Sequence, residues 1–180
     1  QGYSSAASDV YKRQGGAEGM STFMSYEILT ACAELGEYEK ALKMLKEYYG
    51  GMLNLGATTF WEDFDVKWQE GASRIDEQPK EGEKDVHGDY GAFCYKGFRH
   101  SLCHGWSSGV IGYLTEQVLG IKAEEAGFRK VRIEPHLSGL KHVKGSCPTP
   151  FGRIEVEYKT DGEGRIEKQI KVPKGIEIAE

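Results

Sequence analysis

The sequence predicts an α+β chain, with helices first and an antiparallel β-region after them, and a boundary near residues 122–127. Two observations carry this expectation. Up to Gly120 the apolar residues recur at helical spacing, and beyond it they alternate with period two. Gly and Pro residues fall where those patterns stop. A length of 180 residues suits one domain or a domain and a half.

Taken in order, residues 1–14 are polar and lack a hydrophobic period. The run Ser5–Gln14 resembles translated sequencing-adaptor sequence, so a non-native, disordered tail is expected over residues 1–14. Residues 20–35 read as a helix with Met20, Phe23, Met24, Ile28, Ala31 and Leu35 on one face, started by Ser21 or Ser25 and ended by Gly36. Residues 37–49 read as a second helix, with Tyr38, Ala41, Leu42, Leu45 and Tyr48/Tyr49 as its stripe and Gly50-Gly51 as its end. The short link at Gly36 makes the two an antiparallel αα-hairpin.

The stretch Gly56–Trp68 follows. It gathers Phe60, Trp61, Phe64 and Trp68 with the carboxylates Glu62, Asp63 and Asp65. Thr58 or Thr59 suits an N-cap, which would put Glu62 in a first helical turn. Residues 69–90 form a long polar loop. Residues 104–119 read as a third helix, with Trp106, Val110, Ile111, Leu114 and Val118 on its apolar face and Gly120 as its stop. Strands are expected over 129–134, 143–147, 153–158 and 165–172, with a turn at Asp161–Gly164 and a last short strand at 176–178.

Composition narrows the partners. A net charge of −5 opposes nucleic-acid or anionic-membrane binding, since either needs a basic patch. No apolar run approaches the roughly 20 residues of a membrane span. Cys32, Cys94, Cys103 and Cys147 show no CxxC spacing, so zinc-ribbon and thioredoxin readings fail. Cys32 fits a helix core, and Cys94 could pair with Cys103; the compartment stays open.

Three constellations could carry chemistry. Sugars offer flat C–H faces to aromatic rings and hydroxyls to carboxylates, and glycoside cleavage needs a pair of carboxyl groups. Trp61 beside Glu62 fits that need. The same residues also fit a helix start whose aromatics enter the core. In His100–Trp106, two histidines four apart lack the Glu of a metalloprotease motif and a third zinc ligand. Asp85–Gly91 could order its loop, bind a cation or reach a substrate. No metal or cofactor is expected.

The runs Gly50–Asp65, Ser101–Gly109, Leu119–Ile121, Arg132–Pro135 and Thr149–Val156 together resemble the C-terminal part of bacterial α-L-rhamnosidases of glycoside hydrolase family 78, over residues 16–178. The resemblance implies the last helices of an (α/α)6 barrel over 15–121, then a partial antiparallel β-sandwich over 122–180. It implies an inverting glycosidase acting on a rhamnose-containing oligosaccharide or glycoside, with Glu62 as general base. His104 would contact the sugar, Trp61 would stand at the sugar-binding wall, and Trp106 would join them in binding substrate. The family's general acid belongs to an upstream motif that residues 1–55 do not match. The chain therefore reads as a fragment with half of the catalytic pair, inactive by itself. Two other readings remain: a carbohydrate-binding or structural module, with Phe151 and Tyr158 as its aromatics, or the same fold acting on a different sugar.

Overall fold

A computed structural model of the chain describes residues 16–89 and 100–179. The tail expected over 1–14, the last residues of the Asp85–Gly91 motif and Cys94 lie outside the described residues. The chain forms two compact units, one ending at Val110 and the other beginning at Ile111. Helices dominate the first and β-strands the second, which is the α+β arrangement expected.

In the first unit a 3-10 turn at Gly16–Gly19 precedes α1 (Ser25–Glu34) and α2 (Tyr38–Asn54). α1 starts later than the spacing suggests, and its buried face is rotated. Ser25, Leu29, Cys32 and Ala33 are enclosed, while Phe23 and Met24 are exposed. Ser25 can occupy a core position because its hydroxyl donates to the Thr22 carbonyl at 2.8 Å and lies 2.5 Å from the Tyr49 hydroxyl. Phe23 and Met24 precede the helix, so its period does not govern them. Gly36, at φ +75°, ends α1. Its N–H donates to Ala33 and that of Glu37 to Cys32, both at 2.9 Å, which satisfies the last free carbonyls of the helix.

α2 does not end at Gly50-Gly51 but runs through both. A Cβ at Gly51 would lie 2.7 Å from Phe64 Cζ, so glycine is there for close packing, not to break the helix. The actual end is Gly56 at φ +89°, with its N–H on Leu53 and that of Ala57 on Met52, both at 3.0 Å. The bond between Ser25, at the start of α1, and Tyr49, late in α2, fits an antiparallel hairpin.

Residues 57–65 are not helical, contrary to the N-cap reading. Their backbone groups bond to residues far away in sequence, which a helix would not allow. The turn forms only at Val66–Glu70, where the Asp65 carboxylate accepts the Lys67 N–H at 2.9 Å. The polar loop beyond is held by Ser73 N–H to Lys84, Lys84 N–H to Gly71 and Ile75 N–H to Leu55, at 2.9–3.0 Å.

The third helix is a composite: a 3-10 turn (Gly105–Ser108), α3 (Gly109–Tyr113) and a π-helical turn (Leu114–Val118). Because the winding changes along it, a single period misplaces its faces. Val110, Tyr113, Gln117 and Val118 are buried, whereas Trp106 and Ile111 are exposed.

The second unit contains β1 (Ile121–Ala123), β2 (Lys130–Ile133), β3 (His142–Thr149), β4 (Gly152–Thr160), β5 (Ile166–Lys171) and β6 (Glu177–Ile178). One sheet has the order β1-β2-β6 and the other β3-β4-β5. Pairing is antiparallel except between β2 and β6, which run parallel. Residues from both sheets share one core, including Ile121, Val131, Cys147, Ile154, Val156 and Tyr158. The alternation of β4 is as read, with Ile154, Val156 and Tyr158 inside. That of β5 misleads, since all six of its residues are exposed at the sheet edge.

Candidate functional site

Glu62 is the centre of the first unit's irregular segments. Residues 60–62 lie beside residues 101–104 through two backbone bonds, Glu62 N–H to Ser101 at 2.8 Å and His104 N–H to Phe60 at 2.7 Å. The Thr59 hydroxyl adds a bond to the Leu102 carbonyl. These contacts take the place of the helix expected at Thr58–Glu62.

Glu62 is half-buried. Its Oε2 accepts the Ser101 N–H at 2.7 Å, a charge-assisted bond that fixes the side chain's direction. The Glu62 carbonyl accepts two side-chain donors, the Thr22 hydroxyl and the Trp106 indole N–H, the latter at 2.7 Å. Both lone pairs of that oxygen are thereby used. Glu62 is held from its backbone and its carboxylate at once, which is the preorganisation that proton transfer at a defined position requires.

His104 and Trp106 join Glu62 as the sequence suggests. Their rings are 4.3 Å apart and tilted by 50°. Trp106 is 39% exposed and His104 half-buried, so both present surface. Trp61 does not. It is fully enclosed, edge-on to Phe64 at 6.0 Å, and offers no ring face to a sugar. The cause is side-chain direction: neighbours on an extended segment point opposite ways, so the segment that turns Glu62 outward turns Trp61 inward. Its indole N–H has no hydrogen-bond partner among the described residues.

Behind the site lies an aromatic and hydroxyl layer. The Tyr49 hydroxyl reaches the Ser107 carbonyl at 2.9 Å, and Tyr48 donates to the Phe64 carbonyl at 2.8 Å. Burial raises both phenols above their ordinary range; for Tyr48 the nearby charge of Asp63 adds to it. Both remain protonated donors. Asp63 is buried and accepts the Phe64 N–H at 2.9 Å, and Asp65 caps its turn, so these two carboxylates serve the backbone.

His100 is wholly buried with its ring 5.6 Å from that of Trp68, and the segment from His100 to His104 is irregular. The Asp85 motif closes on itself: His87 N–H donates to the Asp85 carboxylate and Asp85 N–H to that of Asp89. Among the described residues no three His, Cys, Asp or Glu side chains gather as a metal site would need. Cys103 is an exposed free thiol. In the second unit Tyr158 is buried, its hydroxyl donating to the Leu119 carbonyl at 2.9 Å and pushed up to about 12 by burial. Phe151 is exposed.

Thr22, Ser101 and Thr59 escape sequence reading. Thr22 and Glu62 stand forty positions apart, and no spacing rule spans that distance.

Residues 120–179 match the family described as Bacterial alpha-L-rhamnosidase C-terminal domain. An alpha-L-rhamnosidase of Alteromonas sp. (strain LOR) is 28% identical over 137 residues, covering 76% of this chain and 12% of the relative. The GH78 family rhamnosidase of Bacillus sp. GL1 is 26% identical with a TM-score of 0.65, over 88% of this chain and 14% of that one. The alpha-L-rhamnosidase of Dictyoglumus thermophilum shares the fold at TM-score 0.68 and 22% identity, over 94% of this chain and 17% of its own. The chain thus spans between about an eighth and a sixth of the length of these relatives. Over a short part of their length these α-L-rhamnosidases are what the chain is similar to, and residues 120–179 are similar to their C-terminal domain.

Proposed function

We propose that the parent protein is an inverting glycosidase that removes terminal α-L-rhamnosyl groups, with Glu62 as its general base. Residues 15–121 would form the end of an (α/α)6 catalytic barrel and 122–180 a C-terminal β-sandwich. The observation that carries this reading is the hold on Glu62. One carboxylate oxygen is anchored by the Ser101 N–H, the backbone carbonyl is fixed by Thr22 and Trp106, and His104 and Trp106 stand alongside.

In this reading Glu62 takes a proton from water as the water oxygen attacks the anomeric carbon. The glycosidic C–O bond breaks, and a carboxylic acid elsewhere in the parent protonates the leaving oxygen. The two carboxyl groups of an inverting pair stand roughly 6.5–9.5 Å apart, with the water between the base and the sugar. His104 and the exposed part of Trp106 bind the sugar. Trp61 supports the site from within, not as a wall.

The test is Glu62→Gln in the full-length parent. Hydrolysis of an aryl α-L-rhamnoside should fall by about two to four decades, the usual worth of a positioned acid or base, with the circular dichroism spectrum unchanged. Wild-type turnover by the variant would remove Glu62 from the mechanism.

A further inference from the structure

Phe23, which precedes α1, is a large aromatic left 60% exposed. It stands edge-on to Trp106, ring centroids 5.6 Å apart and planes at 64°. Its neighbour Thr22 is buried and donates to the Glu62 carbonyl, the same atom that receives the Trp106 indole N–H. The Ser25–Tyr49–Ser107 contacts bind the start of α1 to the residue after Trp106. Trp106 and Thr22, the residue before Phe23, are therefore both tied to the backbone of the proposed base by separate hydrogen bonds. Met24, also exposed, extends the apolar surface.

Two rings at a steep angle form a corner rather than a flat platform. A corner suits a compact apolar group better than a sugar's broad C–H face. L-Rhamnose carries such a group: it is 6-deoxy-L-mannose, with a methyl where mannose has a hydroxymethyl. Resting on the reading of Glu62 as the base of a rhamnosidase, we propose that Phe23 and Trp106 hold the methyl-bearing edge of the sugar, and that Phe23 is a specificity-determining residue.

The test uses the parent enzyme and two substrates that differ only at C6, 4-nitrophenyl α-L-rhamnoside and 4-nitrophenyl α-L-mannoside. Phe23→Ala should lower kcat/KM on the rhamnoside about 10-fold or more, chiefly through KM, as expected from an apolar contact of methyl size. The mannoside should lose less, so the preference for rhamnoside should shrink several-fold. Phe23→Leu, which keeps apolar bulk, should recover most of the preference, and the acid-base profile of kcat should not move. An equal loss on both substrates, or one that Leu does not rescue, would overturn the proposal and make Phe23 a packing residue against other parts of the parent. A wild-type parent that turns over neither glycoside would instead fail the rhamnosidase reading itself, and this corner with it.

Discussion

Gly120→Ala should cost far more than a glycine substitution normally does, and a neighbouring glycine supplies the control. Gly120 has φ +73° and Gly127 has φ +78°, so alanine suffers the same left-handed strain at both, about 1–2 kcal/mol. Their surroundings differ. A Cβ at Gly127 meets nothing within 4 Å, whereas at Gly120 it would lie 2.2 Å from the Glu134 carbonyl carbon and 2.4 Å from Pro135 N. Those are backbone atoms and cannot swing away. The end of β2 would have to retreat, breaking the 2.9 Å bond from Glu134 N–H to the Gly120 carbonyl. That bond is worth about 0.5–1.5 kcal/mol, and overpacking adds about 1–3 kcal/mol. Gly120→Ala should thus exceed Gly127→Ala by about 1.5–4.5 kcal/mol. Trp61, Trp68 and Trp106 all precede Ile111, so tryptophan fluorescence does not report on this unit. Amide hydrogen exchange of residues 152–160 does. At about 1.4 kcal/mol per decade, exchange there should be faster by about one to three decades in Gly120→Ala than in Gly127→Ala. Equal exchange in the two variants would refute the claim that the Leu119–Ile121 junction is closed against the backbone of β2.

A second glycine pair should split in sign. Gly50→Ala, with open space around its Cβ, should raise first-unit stability by up to about 1 kcal/mol, whereas Gly51→Ala should lower it by about 1–2 kcal/mol through its clash with buried Phe64, both read by tryptophan fluorescence in urea. Glu157 accepts from Lys144, Lys159 and His142, which hold its carboxyl down to about 2, below the ordinary glutamate range. A depressed folded-state pKa stabilises above the ordinary value and is lost as pH falls from there towards about 2. The β-unit should therefore lose more thermal stability between pH 5 and 2.5 in the wild type than in Glu157→Gln; parallel pH curves for the two would count against this ion-pair cluster.

The helical and β halves were legible because burial imposes a period, and α2 and β4 bury one face each. The period fails where polar groups satisfy one another inside or where winding changes. Ser25 holds a core position that spacing gives to apolar residues, and the composite helix at Gly105–Val118 turns Trp106 out of its expected face. Gly50-Gly51 reads as a stop by composition, but Gly51 answers to Phe64, a residue in another segment.

The sequence by itself determined that helices come first and strands after them, a property of residue type and local spacing; Glu62, His104 and Trp106 stand out in it through the resemblance of their motifs to a known family. Only the tertiary structure decided which way each side chain turns: Glu62 half-open and anchored by Ser101, Trp61 enclosed, Phe23 exposed against Trp106. Those outcomes depend on hydrogen bonds such as Thr22 to Glu62, between residues forty positions apart. Local pattern carries no information about such pairs, because the chain brings them together only when it folds.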